Sequence, residues 1–192
     1  MKKKAKVKET FTIILPKMFG EKEIGYTFAS KPEQVVGREL TVSALDVVDN
    51  MNKYYLKLTF KVKKVEGNKA FTEFYGSECL QDYISRMVVR RIRRIDTVQD
   101  LYTKDKVKLR VKSILTVPRK AKSSIQKKMS DKIKEMIKNE VENKTLEEFV
   151  KSLISDEIKM KIITEGKKIY PIRNFEIRKV EVLPEKEGEK QS

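Results

Sequence analysis

Two stretches of the chain alternate apolar and polar side chains with a period of two residues, and this pattern limits the possible folds more than any other sequence feature. Over residues 54–63 and 107–117 most alternate positions are apolar, and many of the intervening ones are lysine or arginine. Such alternation is typical of strands with one buried and one solvated face. Turn residues Gly67-Asn68 and Lys104-Asp105 therefore predict two β-hairpins.

Other stretches carry apolar side chains at helical spacing. The first helix is predicted to begin at Ser77 or Glu78 and to end within the arginine run RMVVRRIRRID at residues 86–96. Thr145, with Glu148 three residues later, has the pattern of a capping box. Further helices are predicted at residues 123–141, 145–153 and 156–168, and a last strand follows Tyr170-Pro171.

This order of elements predicts an α+β fold, with a curved antiparallel sheet or β-barrel-like core and several packed helices. The last strand must rejoin the earlier sheet to bury its apolar side, so residues 10–184 are expected to form one domain. Residues 1–9 are expected to be a flexible basic arm, and residues 185–192 a disordered charged tail.

Composition indicates a polyanionic partner and argues against an enzyme. The formal net charge is +16 and the pI is about 9.7. The chain lacks histidine and has one cysteine, Cys79, which excludes the usual general base and cysteine-based zinc sites. Neither GxGxxG nor GxxxxGK[ST] is present. We expect no catalysis, metal, cofactor or small-molecule substrate, a cytoplasmic location, and no membrane span, since about 20 apolar residues are needed.

The basic residues are concentrated in one part of the sequence. Between Arg86 and Lys132 sixteen lysines or arginines accompany four aspartates. Cations at a helix end also complement the helix dipole, and strand lysines also discourage edge pairing, but such surfaces usually mix both signs. The candidate RNA-binding residues are Lys2, Lys3, Lys4, Arg86, Arg90, Arg91, Arg93, Arg94, Lys104, Lys106, Lys108, Arg110, Lys112, Arg119, Lys120, Lys122, Lys127 and Lys128.

Aromatic residues on the first hairpin have two possible roles. Exposed rings stack on bases in many single-strand binders, whereas buried rings pack in the core. We expect most of them to be core residues, and the sequence has neither an RNA recognition motif signature nor a GXXG clamp. These aromatic residues are Tyr54, Tyr55, Phe60, Phe71, Phe74 and Tyr75.

Six blocks of the sequence resemble the archaeal branch of the S3Ae (eS1) family of small-subunit ribosomal proteins, in the order found in that family. They are PKMFGEKEIG (16–25), GREL-VS (37–43), EGNKAFTEFYG (66–76), DYISRMVVRRIRRID (82–96), TKDKVKLRVK (103–112) and IYPIRNFEIRKVEVL (169–183). The chain departs from the family pattern at Glu9, Thr10 and Phe11, where other aromatic residues are expected, and at Lys106, where a glycine is expected.

The resemblance implies a structural protein of the ribosomal platform that binds ribosomal RNA near the mRNA exit and supports translation. It implies neighbouring ribosomal proteins as partners, with mRNA near the exit as a further one. The family blocks place RNA contacts at residues 89–91, 94–96, 103–105 and 110–112. Two alternatives are a free-standing RNA- or DNA-binding chaperone or regulator and a peripheral membrane protein that uses the 123–141 helix, whose apolar stripe is narrow and better suited to the sheet.

Overall fold

The computed structural model describes residues 8–48, 51–118 and 121–184. The chain divides into two compact units with their boundary between Ser77 and Glu78, which we call the N-terminal and C-terminal units. Most of the predicted basic arm and all of the predicted tail lie outside the described residues, and Glu9 already belongs to the first strand. That residues 10–184 form one domain stays a prediction.

The α+β class is confirmed. The N-terminal unit contains β1 (Glu9–Ile14), β2 (Glu23–Ala29), β3 (Glu39–Ser43), α1 (Ala44–Val48), β4 (Leu56–Glu66) and most of β5 (Lys69–Cys79). The C-terminal unit contains α2 (Gln81–Met87), β6 (Ile92–Tyr102), β7 (Lys108–Pro118), α3 (Ser123–Glu142), α4 (Leu146–Ile154), α5 (Glu157–Lys167) and β8 (Asn174–Val182).

The N-terminal unit holds a mixed sheet in the order β2-β1-β5-β4-β3. The predicted antiparallel arrangement is wrong at β1 and β5, which pair in parallel with Thr12 opposite Lys69. Since these strands are far apart in sequence, no hairpin turn forces them to run in opposite directions. Strands β2 and β3 are the two edges of this order, so the described backbone pairing leaves the sheet open and does not form the barrel considered as an alternative.

The first predicted hairpin is confirmed as β4 and β5. Leu56, Leu58, Phe60 and Val62 are buried, as their alternation predicts. Gly67 at the turn has φ +57°, a left-handed conformation that glycine adopts without a Cβ clash. Strand β5 is longer than predicted, because it continues to Cys79, where the first helix was expected to have begun.

The second hairpin, β6 and β7, is also confirmed. The amide of Lys106 donates to the carbonyl of Thr103 at 2.9 Å, which closes a turn around Lys104-Asp105. Lys106 itself has φ +62°, a conformation that favours glycine. Glycine adopts this conformation without a Cβ clash, so the backbone explains why glycine is expected where this chain has Lys106.

Three helices pack on one face of the antiparallel sheet formed by β6, β7 and β8. The stripe predicted on α3 is confirmed, since Met129, Ile133, Ile137 and Val141 are buried in the same core as strand residues such as Leu109. Strand β8 does return to the sheet, where it pairs antiparallel with β7. These contacts bury the apolar sides of the strands and helices that follow the hairpin.

The first predicted helix is shorter than the sequence suggests. Helix α2 begins at Gln81 and ends at Met87, near the start of the arginine run, and β6 begins at Ile92. The predicted start at Ser77 or Glu78 is therefore wrong, whereas the end does fall within the run. Helical spacing correctly predicted that Ile84 and Met87 are buried. The spacing of apolar residues from Val88 to Ile95 also fits a strand that follows a tight turn.

We predict that Thr145→Ala lowers the free energy of unfolding by about 1 kcal/mol, because it removes the capping box of α4. The Thr145 hydroxyl accepts from the Glu148 amide at 3.3 Å, and the Glu148 carboxylate accepts from the Thr145 amide at 2.9 Å. Urea denaturation measures the effect. Thr164→Ala is the matched control, since Thr164 lies within α5, where its hydroxyl donates to the Met160 carbonyl and removing that hydrogen bond should cost little.

Candidate nucleic-acid interface

A tight turn joins α2 to β6 and presents the centre of the arginine run. The amide of Ile92 donates to the carbonyl of Val89 at 3.2 Å, so Arg90 and Arg91 are the two central residues. Arg91 has φ +68°, as in a type II turn, where this position favours glycine or asparagine. Both arginine side chains are exposed. The turn therefore projects two guanidinium groups from a fixed backbone.

The next two arginines lie on β6 and point to opposite sides of the sheet. Arg93 is opposite Val117 and shares the helix-packed face, whereas Arg94 is opposite Thr116 on the other face. Arg94 Nε donates to both carboxylate oxygens of Asp96, at 2.8 and 2.9 Å. The four arginines therefore do not form a single row, and Arg94 is already paired with an acid.

Other cations reach the same end of the C-terminal sheet. The amide of Arg173, just before β8, donates to the carbonyl of Thr116 at 2.9 Å, which places Arg173 level with the start of β6. Lys122 is the residue just before α3, and Lys127 and Lys128 lie in the first turns of that helix. Three elements that are distant in sequence thus bring their basic residues toward one end of the sheet.

We call this group the arginine end. Among the described residues none of its side chains forms an ion pair, and all are exposed. The backbone of the turn that carries Arg90 and Arg91 is anchored by Met87 and Ile95, which are buried on either side of it. The members of the arginine end are Arg86, Arg90, Arg91, Arg93, Arg173, Lys122, Lys127 and Lys128.

The middle of the predicted cationic hairpin face is neutralised by acids. Arg110 Nε and Nη2 donate to the two carboxylate oxygens of Asp100, both at 2.7 Å. Lys112 lies 2.8 Å from Glu181 on β8. Lys108 Nζ lies 5.6 Å from the centre of the Tyr102 ring. The lysines and arginines of β7 therefore contact acidic and aromatic side chains on β6 and β8. No local sequence pattern predicts these partners, because they become neighbours only when the strands pair.

These contacts shift the titration of the carboxylates involved. The hydrogen bonds from Arg110 lower the pKa of Asp100 below its ordinary value, against a weaker opposing effect of burial. At Glu181 burial is the largest single influence and by itself raises the pKa. The hydrogen bonds and charges of Lys112 and Lys179 together outweigh it, so the pKa of this carboxyl is lowered. Both groups are therefore ionised at neutral pH and hold the adjacent cations.

The hairpin tip is separate from the arginine end. Lys104 and Lys106 are exposed there, and a strand of eleven residues places them about 35 Å from the start of β6. The Asp105 carboxylate accepts from the Leu146 amide at 3.1 Å, which ties the tip to the start of α4. Within the described residues, the sequence candidates on the hairpin thus include unpaired cations at each end and the paired Arg110 and Lys112 between them, whereas Arg94 is paired at the start of β6.

Five predicted site residues fall outside the described ranges, and one member of the arginine end was not predicted. The five are Lys2, Lys3, Lys4, Arg119 and Lys120. Arg173 was not among the predicted site residues, although it is within the last family block, IYPIRNFEIRKVEVL. Arg173 is far in the sequence from the other members of the arginine end. Only the pairing of β8 with β7 brings it to them.

The described part of the chain offers neither a metal site nor a membrane-spanning helix. No group of three or more His, Cys, Asp or Glu side chains there is arranged to hold a metal ion. None of the helices in residues 8–48, 51–118 and 121–184 has the length and hydropathy that crossing a membrane requires.

Comparison with known proteins gives consistent matches over nearly the whole chain. The model of the ribosomal S3Ae family matches residues 1–186. A small ribosomal subunit protein eS1 from Methanopyrus kandleri is 38% identical over 189 residues, covering 96% of this chain and 90% of the relative. That of Methanothermobacter thermautotrophicus is 36% identical over 180 residues, covering 94% and 92%. That of Sulfurisphaera tokodaii is 33% identical, covering 95% of each chain.

We predict that Asp100→Asn destabilises the protein at neutral pH and that this difference disappears in acid. Because the folded-state pKa of Asp100 is lowered, its ion pair contributes stability above the ordinary carboxyl pKa and loses it as pH falls through the folded-state value. Urea denaturation at neutral pH and at several values between about 5 and 2 measures this. Asp131→Asn, at an exposed aspartate without a described ion pair, should show a smaller change.

Proposed function

The chain belongs to the ribosomal S3Ae family, and we propose that it is a structural constituent of the small ribosomal subunit that binds ribosomal RNA through its arginine end. The resemblance read from the six sequence blocks is confirmed by the family match. The proposed setting is the platform of the subunit in cytoplasmic ribosomes, near the mRNA exit, with neighbouring ribosomal proteins and mRNA as further partners. A structural role in translation accounts for the expectation that the chain is not an enzyme.

The observation that carries the proposal is the separation of paired from unpaired cations. An arginine that already holds a carboxylate has little net charge to offer a phosphate, whereas an unpaired guanidinium can bind two phosphate oxygens with its planar fork. Arg90, Arg91 and Arg93 have no ion pair among the described residues, whereas Arg94 and Arg110 do. The arginine end is therefore the surface best suited to a folded polyanion.

The conformation of Arg91 supports the same assignment. A non-glycine residue with positive φ typically costs about 1 kcal/mol, and Arg91 keeps this conformation at +68° in an exposed turn. No packing contact requires an arginine there, since the side chain is exposed. A contribution of the guanidinium to binding would account for a residue that is unfavourable for the turn itself.

A free-standing RNA- or DNA-binding chaperone would share this charge distribution. It would bind duplex DNA and RNA with similar affinity and would sediment apart from ribosomes. Sedimentation of the small subunit through a sucrose cushion in high salt separates the alternatives. The proposed function requires the chain to remain with the subunit, and its complete release together with equal affinity for DNA would contradict a structural ribosomal role.

We predict that Arg91→Gly stabilises the isolated protein while weakening its affinity for small-subunit ribosomal RNA. Relief of the left-handed conformation should raise the free energy of unfolding by about 0.5–1 kcal/mol. Removal of one guanidinium that binds phosphate should weaken binding at low salt. Glu21→Gly is the matched control, because Glu21 has φ +52° and its replacement relieves the same conformation without removing a cation. Equal affinity of both variants would argue against a role for Arg91.

We predict that Arg90→Ala/Arg91→Ala reduces the slope of log affinity against log salt concentration by roughly one to two units, one for each phosphate that is no longer bound. Filter binding or fluorescence anisotropy across a salt series measures the slope. The comparison variant is Arg110→Gln/Asp100→Asn, which removes a complete ion pair and leaves the local charge unchanged. Its slope should equal that of the parent protein. A reduced slope in this variant would assign RNA contacts to the hairpin face instead.

A further inference from the structure

Two aromatic rings on edge strand β2 of the N-terminal unit are turned toward solvent. Tyr26 is 67% exposed and Phe28 is 52% exposed, although both lie within a regular strand. Their ring centres are 5.4 Å apart with the planes at 74°. Neither ring takes part in the core of this unit, which contains Phe11 and Ala29 from the same two-stranded pairing. The strand therefore contributes Ala29 to the core and exposes a pair of rings on its other face.

The strand register leaves these rings unobstructed. Phe28 lies opposite Thr10 and Tyr26 lies opposite Thr12, so each ring has only a small side chain beside it on β1. Directly opposite residues share a face of the sheet. Thr12 is in turn opposite Lys69 on β5, which places Tyr26 and Lys69 on one face about 10 Å apart. This row places an exposed ring and a lysine on either side of Thr12.

A fixed cation lies at the free edge of β2, beside the backbone of Phe28. The Arg38 guanidinium donates to Gln34 O at 2.8 Å, to Thr27 Oγ1 at 2.6 Å and to Phe28 O at 3.0 Å. All of these acceptors are neutral, so the charge of this exposed arginine is not cancelled by a carboxylate among the described residues. Because Thr27 points away from the two rings, the guanidinium is held at the edge of the strand and not on the ring face. Its positive charge is available there to an anion.

The same face continues with further pairs of aromatic rings and lysines. Lys69, Phe71, Glu73 and Tyr75 alternate along β5 on this face. Lys64 Nζ lies 5.1 Å from the centre of the Phe71 ring, and Lys61 Nζ lies 4.7 Å from that of Tyr75. The acids are paired: Glu73 contacts Lys63 at 2.8 Å, Glu66 contacts Lys64 at 2.7 Å and Glu39 contacts Lys61 at 3.8 Å.

We propose that this face of the N-terminal unit binds a single-stranded segment of RNA, with bases stacked on Tyr26 and Phe28. Its phosphates are held by Lys69 on the same face and by Arg38 at the edge of β2. Rings interleaved with cations on an exposed sheet are the arrangement that unpaired bases and their backbone require. Contact with an apolar surface of another protein would not require unpaired positive charge beside the rings. The presence of this charge therefore favours RNA as the partner. The site shares no residue with the arginine end, so the chain carries two different RNA-binding surfaces.

The test uses the intact chain and a fluorescein-labelled RNA of twelve uridines, which has no internal base pairs, with a duplex RNA of equal length as comparison. Anisotropy measures the affinity for each. Because the chain has no tryptophan, its tyrosine fluorescence is also directly observable. Stacking on Tyr26 should quench part of that emission when the single strand binds. We expect the single strand to bind more tightly than the duplex. We also expect the single strand to quench the tyrosine emission of Arg90→Ala/Arg91→Ala, because those arginines lie outside this face.

The decisive variant is Tyr26→Leu/Phe28→Leu, which removes both rings but keeps an apolar surface. Its affinity for the single strand should fall about tenfold or more, since each stacked base contributes substantially, whereas duplex binding should not change. Tyr54→Leu is the matched control, because Tyr54 is also about half exposed but lies before β4, outside this face. Tyr26→Phe should keep the affinity and lose the quenching. Circular dichroism checks that each variant is folded.

Two results would overturn the proposal. If the double leucine variant binds the single strand as tightly as the parent protein, stacking is absent and the apolar face is better assigned to contact with another protein. If the variant loses single-strand and duplex affinity equally, the rings do not select unpaired bases. In both cases the salt dependence attributed to the arginine end would remain, so the two surfaces are tested independently.

Discussion

The pairing of β7 with both β6 and β8 is the constraint on which the C-terminal unit and its proposed interface depend. Eleven consecutive residue pairs join β6 to β7, and this register decides which side chains face the helices and which face solvent. A slip of one residue would reverse every side chain of a strand. Leu109 and Val111 would then lose their places in the core, so burial fixes the position of every charged neighbour with them.

That register also sets the electrostatics of the surface. It places Asp100 opposite Arg110 and Glu181 beside Arg110 and Lys112, so the central cations of the hairpin are paired on both sides. Exposed ion pairs of this kind contribute little stability, because water and salt screen them. Their main consequence is to leave net positive charge at the ends of the hairpin. The uneven distribution of acids, more than the number of lysines and arginines, defines where a polyanion is attracted.

The two units present cations in different ways. The arginine end holds guanidinium groups on a short turn between buried aliphatic residues, an arrangement suited to the phosphates of a folded RNA. In the N-terminal unit, Lys69 shares a sheet face with two exposed rings and Arg38 lies at the edge of their strand, an arrangement suited to unpaired bases. In both units, buried apolar residues fix the backbone, so that polar recognition groups are held in position before a partner binds.

Local sequence patterns were sufficient to predict both hairpins, the turn at Lys104-Asp105, the capping box of α4 and the family. These depend on interactions between residues close in the chain, whose periodicity and turn chemistry are readable directly. The parallel pairing of β1 with β5, the opposite directions of Arg93 and Arg94, and the arrival of Arg173 at the arginine end emerged only in the folded chain. Those features depend on which distant strands become neighbours, because the burial of apolar faces selects partners that no local pattern specifies.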